Sequence, residues 1–314
     1  MPKLITLVGG SGFIGRVLTE KLARRGHRLR IAVRNRARAM RLKPLADLGQ
    51  IEILSADLRA PASLAAAMAG ADAAVNLVGI LSPSGSATFE AIQAKGAGEA
   101  ARAAAEAGVR AYAHVSAIGA DPKSPSAYGR SKGEGEALVR AAFPGAAILR
   151  PSLVFGEDDG FTNRFAGLIA ALPVVPVIAP ATRFQPVFVG DVADAIIQSL
   201  DRQFEGHAGE TFELGGPDIM TMRQIQEWLM RETGQGKRLL DVPDAGARML
   251  AAFGFLPGAP LTKDQYLMLQ RDNVADPALP GLKELGIMPT ALAAAAPQWL
   301  SRYRPGGRFG PARA

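Results

Sequence analysis

Tyr128 and Lys132 stand four residues apart in the run Tyr128-Gly129-Arg130-Ser131-Lys132, and on a helix such positions share one face. An ammonium beside a phenol favours the phenolate, so the pair is expected to lower a tyrosine pKa that ordinarily lies near 10. The same lysine could hold a ribose. A second pattern lies near the start of the chain, where Gly9, Gly12 and Gly15 follow the apolar run Leu4–Val8 at three-residue spacing. A strand that ends in a glycine turn and restarts as a helix presents backbone N–H groups at the positive helix end, an anion site suited to a pyrophosphate. Phe13 and Ile14 supply helix-start N–H groups, and the glycines serve the turn, close phosphate approach and helix packing.

Three further positions extend that site. Where a dinucleotide-binding strand carries an acidic residue for ribose hydroxyls, this chain reads Arg34-Asn35-Arg36. Arginine suits a 2′-phosphate through a bidentate, charge-assisted pair, so NADP(H) is expected over NAD(H). Asp57 and Leu58, after the third apolar run, could touch an adenine. Asn76–Gly79, with Val78 and Gly79 at its end, would let the middle of the cofactor pass close by.

The elements that must position these groups alternate in type. Strand-like runs are expected at Leu4–Val8, Leu29–Val33, Ile51–Leu54, Ala73–Val78, Ala111–Val115 and Ala146–Arg150. Helices are expected at Arg16–Arg25, Pro61–Met68, Ala87–Ala107 and Ser126–Ala142, the third alanine-rich with Gly96 and Gly98 as soft spots. This rhythm predicts an α/β fold, a Rossmann-type doubly wound parallel sheet with its ligand at the carboxyl ends of the strands. Beyond about residue 155 the rhythm breaks. Phe184–Val189 and Glu210–Leu214 read as strands, Asp191–Leu200 and Thr221–Thr233 as helices, the last with Thr221 as N-cap. The expected division is a dinucleotide-binding domain over 1–160 and a mixed region over 161–314. That region returns strands to the sheet over about 184–215 and forms a smaller helical, loop-rich C-terminal lobe. Tyr303–Ala314 is basic and rich in proline and glycine, and is expected to be disordered.

Composition narrows the function classes. The chain has 314 residues, no cysteine and three histidines, so neither disulfides nor thiolate metal sites exist. His27, His114 and His207 are far apart, and no metal site is expected. The net charge is +7, carried mainly by dispersed arginines, and nothing resembles a nucleic-acid recognition element. No apolar run reaches the ~20 residues of a membrane span. A reducing, cytoplasmic setting without a leader segment is expected, with peripheral contact at the cytoplasmic face of the inner membrane through Leu168–Ala181 or Ala245–Pro260 as an option.

The set GGSGFIG, Tyr128 with Lys132, Leu149–Gly156 (LRPSLVFG) and Val189–Ala193 (VGDVA) resembles the extended and atypical short-chain dehydrogenase/reductase superfamily. The resemblance implies that Tyr128 is a general acid/base, that Lys132 is its partner, and that Pro151 and Ser152 face the cofactor. A hydroxyl normally found after the fifth strand is replaced: Ala117 takes its place, and the neighbouring Ser116 points the other way on an alternating strand. Longer stretches are similar to the nucleotide-binding accessory subunit of respiratory complex I and its bacterial relatives. They are His114–Asp121, Ser124–Ala166, Arg183–Val189 and Leu261–Thr290. That resemblance implies a held NADPH and a structural, assembly or quinone-related role beside a respiratory-chain or quinone-biosynthesis partner. The alternative is an active NADPH-dependent oxidoreductase or epimerase using Tyr128 and Lys132 on a quinone-, isoprenoid- or sugar-nucleotide-like substrate.

Overall fold

The computed structural model describes residues 1–254 and 261–307. Six strands of the first half are β1 (Leu4–Val8), β2 (Arg28–Val33), β3 (Ile51–Ser55), β4 (Ala73–Asn76), β5 (Ala111–Val115) and β6 (Ala147–Pro151). With the strand Thr211–Leu214 they form one seven-stranded sheet, ordered Thr211–Leu214, β6, β5, β4, β1, β2, β3. Every pairing in it is parallel. The order reverses between β1 and β4, and this switch point is where an open α/β sheet leaves a crevice for a ligand.

Burial on both faces explains why the strands read as apolar runs rather than alternating ones. Val8, Ala32, Ala74, Tyr112 and Ile148 point into one core with the helices Pro61–Met68, Gly96–Glu106 and Ala127–Ala142. The alternate residues Leu7, Ile31, Val75 and Leu149 are also fully buried, which by strand alternation places them on the opposite face. There the helices Phe13–Arg24 and Val189–Phe204 pack against each other. Local signals fix the helix starts: Pro61 begins its helix, and the Ser126 hydroxyl accepts from Gly129 N–H at the head of the Tyr128 helix.

Three expected elements differ from the sequence reading. Ala87–Ala107 is not one α-helix: residues Glu90–Lys95 form a π-turn before the α-helix Gly96–Glu106. Phe184–Val189 is broken into the short strands Arg183–Phe184 and Val187–Phe188, because Pro186 between them lacks a backbone donor. Neither joins the large sheet; only Thr211–Leu214 of the expected returning strands does so. The third is the C-terminal stretch: Tyr303 Oη donates to Asn163 and Arg304 pairs with Glu232, so its first residues are tied down. Residues 308–314 of that stretch, and 255–260 of the apolar segment Ala245–Pro260, lie outside the described residues.

The chain divides into two compact units, each assembled from separate segments. The first comprises Met1–Pro151, Val189–Leu214 and Asp276–Met288, the second Ser152–Phe188, Gly215–Ala275 and Pro289–Ala314. The second has its own core, including Phe155, Ile169, Val175, Phe184, Ile225, Leu229, Trp299 and Leu300. Its helix Met222–Glu232 starts at a capping box in which Thr221 and Gln224 bond reciprocally. Leu168–Ala181 contributes the end of the helix Thr162–Ala171 and a strand, Val174–Val177, paired with Arg238–Asp241.

Candidate functional site

The first unit carries a cavity of about 350 Å³ at the carboxyl ends of β1, β2, β3 and β4. Gly9 enters it with φ +82°, and a Cβ there would stand 2.8 Å from Val78 Cγ2. Gly15 lies beneath the turn, where a Cβ would meet the Gly10 carbonyl oxygen at 2.4 Å, so only glycine lets the helix close on the strand. The helix Phe13–Arg24 has Gly12 as N-cap and no side-chain cap. Its first turn, Phe13-Ile14-Gly15, therefore offers backbone N–H groups to an anion.

The cavity wall gathers Gly9, Gly12, Arg34, Asn35, Asp57, Leu58, Val78 and Gly79, which the sequence spreads over seventy residues. Asn35 also serves the fold: its Oδ1 accepts from Arg38 N–H and caps a short helical turn. Arg38 lines the cavity as Arg34 does. Arg41 Nη2 donates to Ser11 O at 2.9 Å and straps this segment to the glycine turn. Asp57 receives a two-pronged bond from Arg59, which holds its carboxyl down to about 2. Ser11, Arg38, Ile80 and Ile92 also line the cavity. Sequence reasoning had no ligand role for them; only the arginine run Arg34–Arg41 carried a signal for one.

Lys132 does not line the cavity but lies behind its Gly79 wall. A Cβ placed on Gly79 would lie 3.5 Å from Lys132 Nζ, and that ammonium donates to Val115 O at 3.1 Å. Burial draws Lys132 down to about 8, against the opposing pull of Glu136 one turn further along the helix. Tyr128 is one turn earlier on the same helix, edge-on to Phe89, and burial pushes its phenol up to about 12. The expected lowering of the tyrosine pKa is thus reversed: Lys132 gives its hydrogen bond to a backbone carbonyl, and desolvation governs the phenol.

Ser116 follows β5 with its Oγ buried and without a hydrogen-bond partner among the described residues, while Ala117 is partly exposed. His114, two residues earlier, is held to about 3 by burial and the neighbouring Lys132. Pro151 and Ser152 do not line the cavity. Ser152 Oγ lies within hydrogen-bond reach of Asn273 O and Oδ1 inside the second unit. Arg150 is bonded to Glu136 and Glu213 and Arg183 to Asp272, so both cations are engaged in the fold.

The geometry fits a dinucleotide phosphate cradle, and comparison with known proteins agrees on dinucleotide binding. An NAD(P)H-binding family model matches residues 9–155. The NADH-ubiquinone oxidoreductase 40 kDa subunit, mitochondrial, of Neurospora crassa is 32% identical over 95% of this chain and 79% of its own length. Ceramide reductase of Caulobacter vibrioides is 31% identical over 77% of this chain and 74% of its own length. The crystal structure of the Bordetella bronchiseptica enzyme WbmG in complex with NAD superimposes with a TM-score of 0.72 at 16% identity, covering 96% of this chain and 94% of that one. It shows the shared fold. The Neurospora relative is named as mitochondrial, whereas the sequence pointed to a cytoplasmic setting; no helix among the described residues is long and apolar enough to cross a membrane. Similarity to the 40 kDa subunit extends well past the shared nucleotide-binding half, and on that ground the chain belongs to the family of the nucleotide-binding, short-chain dehydrogenase/reductase-like accessory subunit of respiratory complex I.

Proposed function

We propose that this protein holds NADP(H) in the cavity of its first unit and uses the bound cofactor for a structural, assembly or quinone-related role. The observation that carries the reading is the joint placement of the glycine turn, Arg34 and Arg38 around one cavity with no carboxylate at the end of β2. Arg34 and Arg38 would meet the 2′-phosphate, the N–H groups of Phe13–Gly15 the pyrophosphate, and Lys132 the ribose near Gly79. Bound NADP(H) would supply hydride chemistry; in this reading it serves chiefly as a folded-state ligand. The test is mass spectrometry of the small molecule released from purified protein, followed by calorimetry with NADPH and NADH. Equal or tighter binding of NADH removes the NADP(H) preference.

A respiratory-chain or quinone-biosynthesis protein is the proposed partner, and the support is the similarity to the 40 kDa subunit. The cytoplasmic setting and a peripheral membrane contact belong to the same reading, with the exposed Met249 and Phe253 as the apolar support. Fractionation and liposome flotation test them, and protein that stays in the liposome-free fraction removes the membrane contact.

A second reading rests on the Tyr128–Lys132 helix and on the similarity to a ceramide reductase. In it the protein is an NADPH-dependent oxidoreductase or epimerase acting on a lipid-like, quinone-like or sugar-nucleotide-like substrate. NADPH consumption that disappears in Tyr128→Phe while cofactor affinity persists would favour it. No consumption with any of these substrates favours the first reading.

A further inference from the structure

Residues 34–49 read RNRARAMRLKPLADLG and hold five cations, Arg34, Arg36, Arg38, Arg41 and Lys43, against one carboxylate, Asp47. They follow β2 as a short helix, Arg36–Ala39, and a 3-10 turn, Met40–Leu45. Ala39 and Leu42 are fully buried and pin the segment to the first unit, so the residues around them are turned to solvent. All five cations are exposed, and none is in an ion pair among the described residues. Arg41 gives its hydrogen bond to Ser11 O, which fixes its place and leaves its charge uncancelled. Asp57, on the cavity wall, is already engaged by Arg59. Two large apolar side chains stand out of the same segment: Met40 is 53% exposed and Leu48 fully so.

A block of like charges held on a fixed scaffold repels itself, and an anionic partner relieves that cost. The partner that suits Met40 and Leu48 as well must offer an apolar layer behind its anionic groups. A bilayer with anionic headgroups does both: the cations meet lipid phosphate while the two apolar side chains enter the acyl boundary. A single-stranded nucleic acid would call for aromatic side chains on which bases stack, and the segment has none. We propose that residues 34–48 seat the first unit on an anionic lipid surface. The seat is separate from Met249 and Phe253, which belong to the second unit. Arg34 and Arg38 also line the cavity, whereas Arg36, Met40, Arg41, Lys43 and Leu48 do not. On the dinucleotide reading, NADP(H) and lipid phosphate therefore share two cations, and each weakens the other by the same factor. That sharing rests on the dinucleotide reading; the docking does not.

Sedimentation of the full chain with phosphatidylcholine vesicles, with and without about one-third phosphatidylglycerol, tests the seat in the absence of cofactor. Wild type should bind the anionic vesicles and release them as salt rises. Each cation near such a surface is worth about fivefold in partition, so Arg36→Gln/Lys43→Gln should weaken binding about 25-fold while NADPH affinity stays within twofold. Met40→Ser/Leu48→Ser should weaken it several-fold. All four side chains are exposed, so neither variant disturbs the core. Saturating NADPH should loosen wild type from the vesicles at least fivefold. Equal binding to neutral and anionic vesicles overturns the proposal, as does an Arg36→Gln/Lys43→Gln protein that partitions like wild type. Undiminished binding by Met40→Ser/Leu48→Ser overturns the bilayer as partner and reassigns the cations to a purely anionic one, such as an acidic protein. Loss confined to Met249→Ser/Phe253→Ser overturns the seat by placing the contact on the second unit. NADPH that binds in calorimetry yet leaves the vesicle partition unchanged overturns the sharing of Arg34 and Arg38.

Discussion

Replacing Arg34 by alanine tests the cofactor preference most directly. Arg34 and Arg38 are both exposed side chains lining one cavity, so their attraction to a 2′-phosphate acts through a partly aqueous medium. Two unit charges 4 Å apart are worth about 1 kcal/mol in water and about 4 at an effective dielectric constant of 20. A rim position falls towards the lower figure, but a bidentate guanidinium–phosphate pair exceeds an ordinary surface ion pair. About 2 kcal/mol is the resulting expectation, roughly a 30-fold loss of NADPH affinity. NADH, without the 2′-phosphate, should change less than threefold. Because the pair is solvent-exposed, raising the salt from 0.1 to 0.5 M should shrink the NADPH advantage in wild type and leave little to shrink in the variant. Arg38→Ala should give a smaller loss, and the double variant less than the sum, since both cations serve one phosphate. Calorimetry at the two salt concentrations reads all of this. A wild type that does not prefer NADPH, or an Arg34→Ala protein that weakens both cofactors alike, refutes the reasoning.

Other expected outcomes follow from the same geometry. Gly15→Ala places a Cβ 2.4 Å from the Gly10 carbonyl oxygen; it should cost about 1–3 kcal/mol in denaturant melts and weaken cofactor binding with it. Glu136→Gln removes one charge from the Glu136–Arg150–Glu213 cluster, where the Glu136 side chain is only 8% exposed. It should destabilise by roughly 3 kcal/mol, as removal of one partner from a buried pair does, and an unchanged melt would show that the arginine is satisfied by Glu213 alone. His114 is held down to about 3 in the fold against 6.5 when unfolded, so the unfolded chain binds the extra proton first. Stability should be full above about pH 6.5 and decline as pH falls towards 3, and His114→Gln should flatten that slope in acid titrations followed by circular dichroism.

How far the sequence revealed the molecule depended on whether the signal was local. The glycine turn, Pro61 and the Ser126 and Thr221 caps each act within a few residues, and the elements they begin stand close to the pattern, the first helix starting at Phe13 rather than Arg16. The doubly wound parallel fold class was legible too, since strand–helix alternation and right-handed crossovers leave few choices. What escaped was non-local. The π-turn holds Gln93, whose partners lie thirteen and thirty-eight residues away, and alanine periodicity says nothing of them. Arg38 carried no ligand role in the sequence, yet it lines the cavity with Arg34. The phenol shift changed sign because spacing shows proximity but not desolvation.

That reversal bears on the direction of any reaction. A phenol held at about 12 is protonated throughout the neutral range, so it can give a proton to a strongly basic oxygen but cannot serve as a ready base. Lys132, drawn to about 8, is charged in only part of the population above that pH and therefore lends less support to a phenolate as pH rises. Ser116 has its hydroxyl buried and Ala117 offers none, so no side chain after β5 is set to share the work. If the protein turns over, it should reduce a carbonyl faster than it oxidises the corresponding alcohol at pH 7 under matched cofactor saturation. Tyr128→Phe should abolish that reduction while leaving NADPH affinity within twofold, because the phenol is not part of the cavity wall. Equal rates in both directions at pH 7 would mean that the phenol ionises far more easily than its burial implies, and this account of Tyr128 would then be wrong.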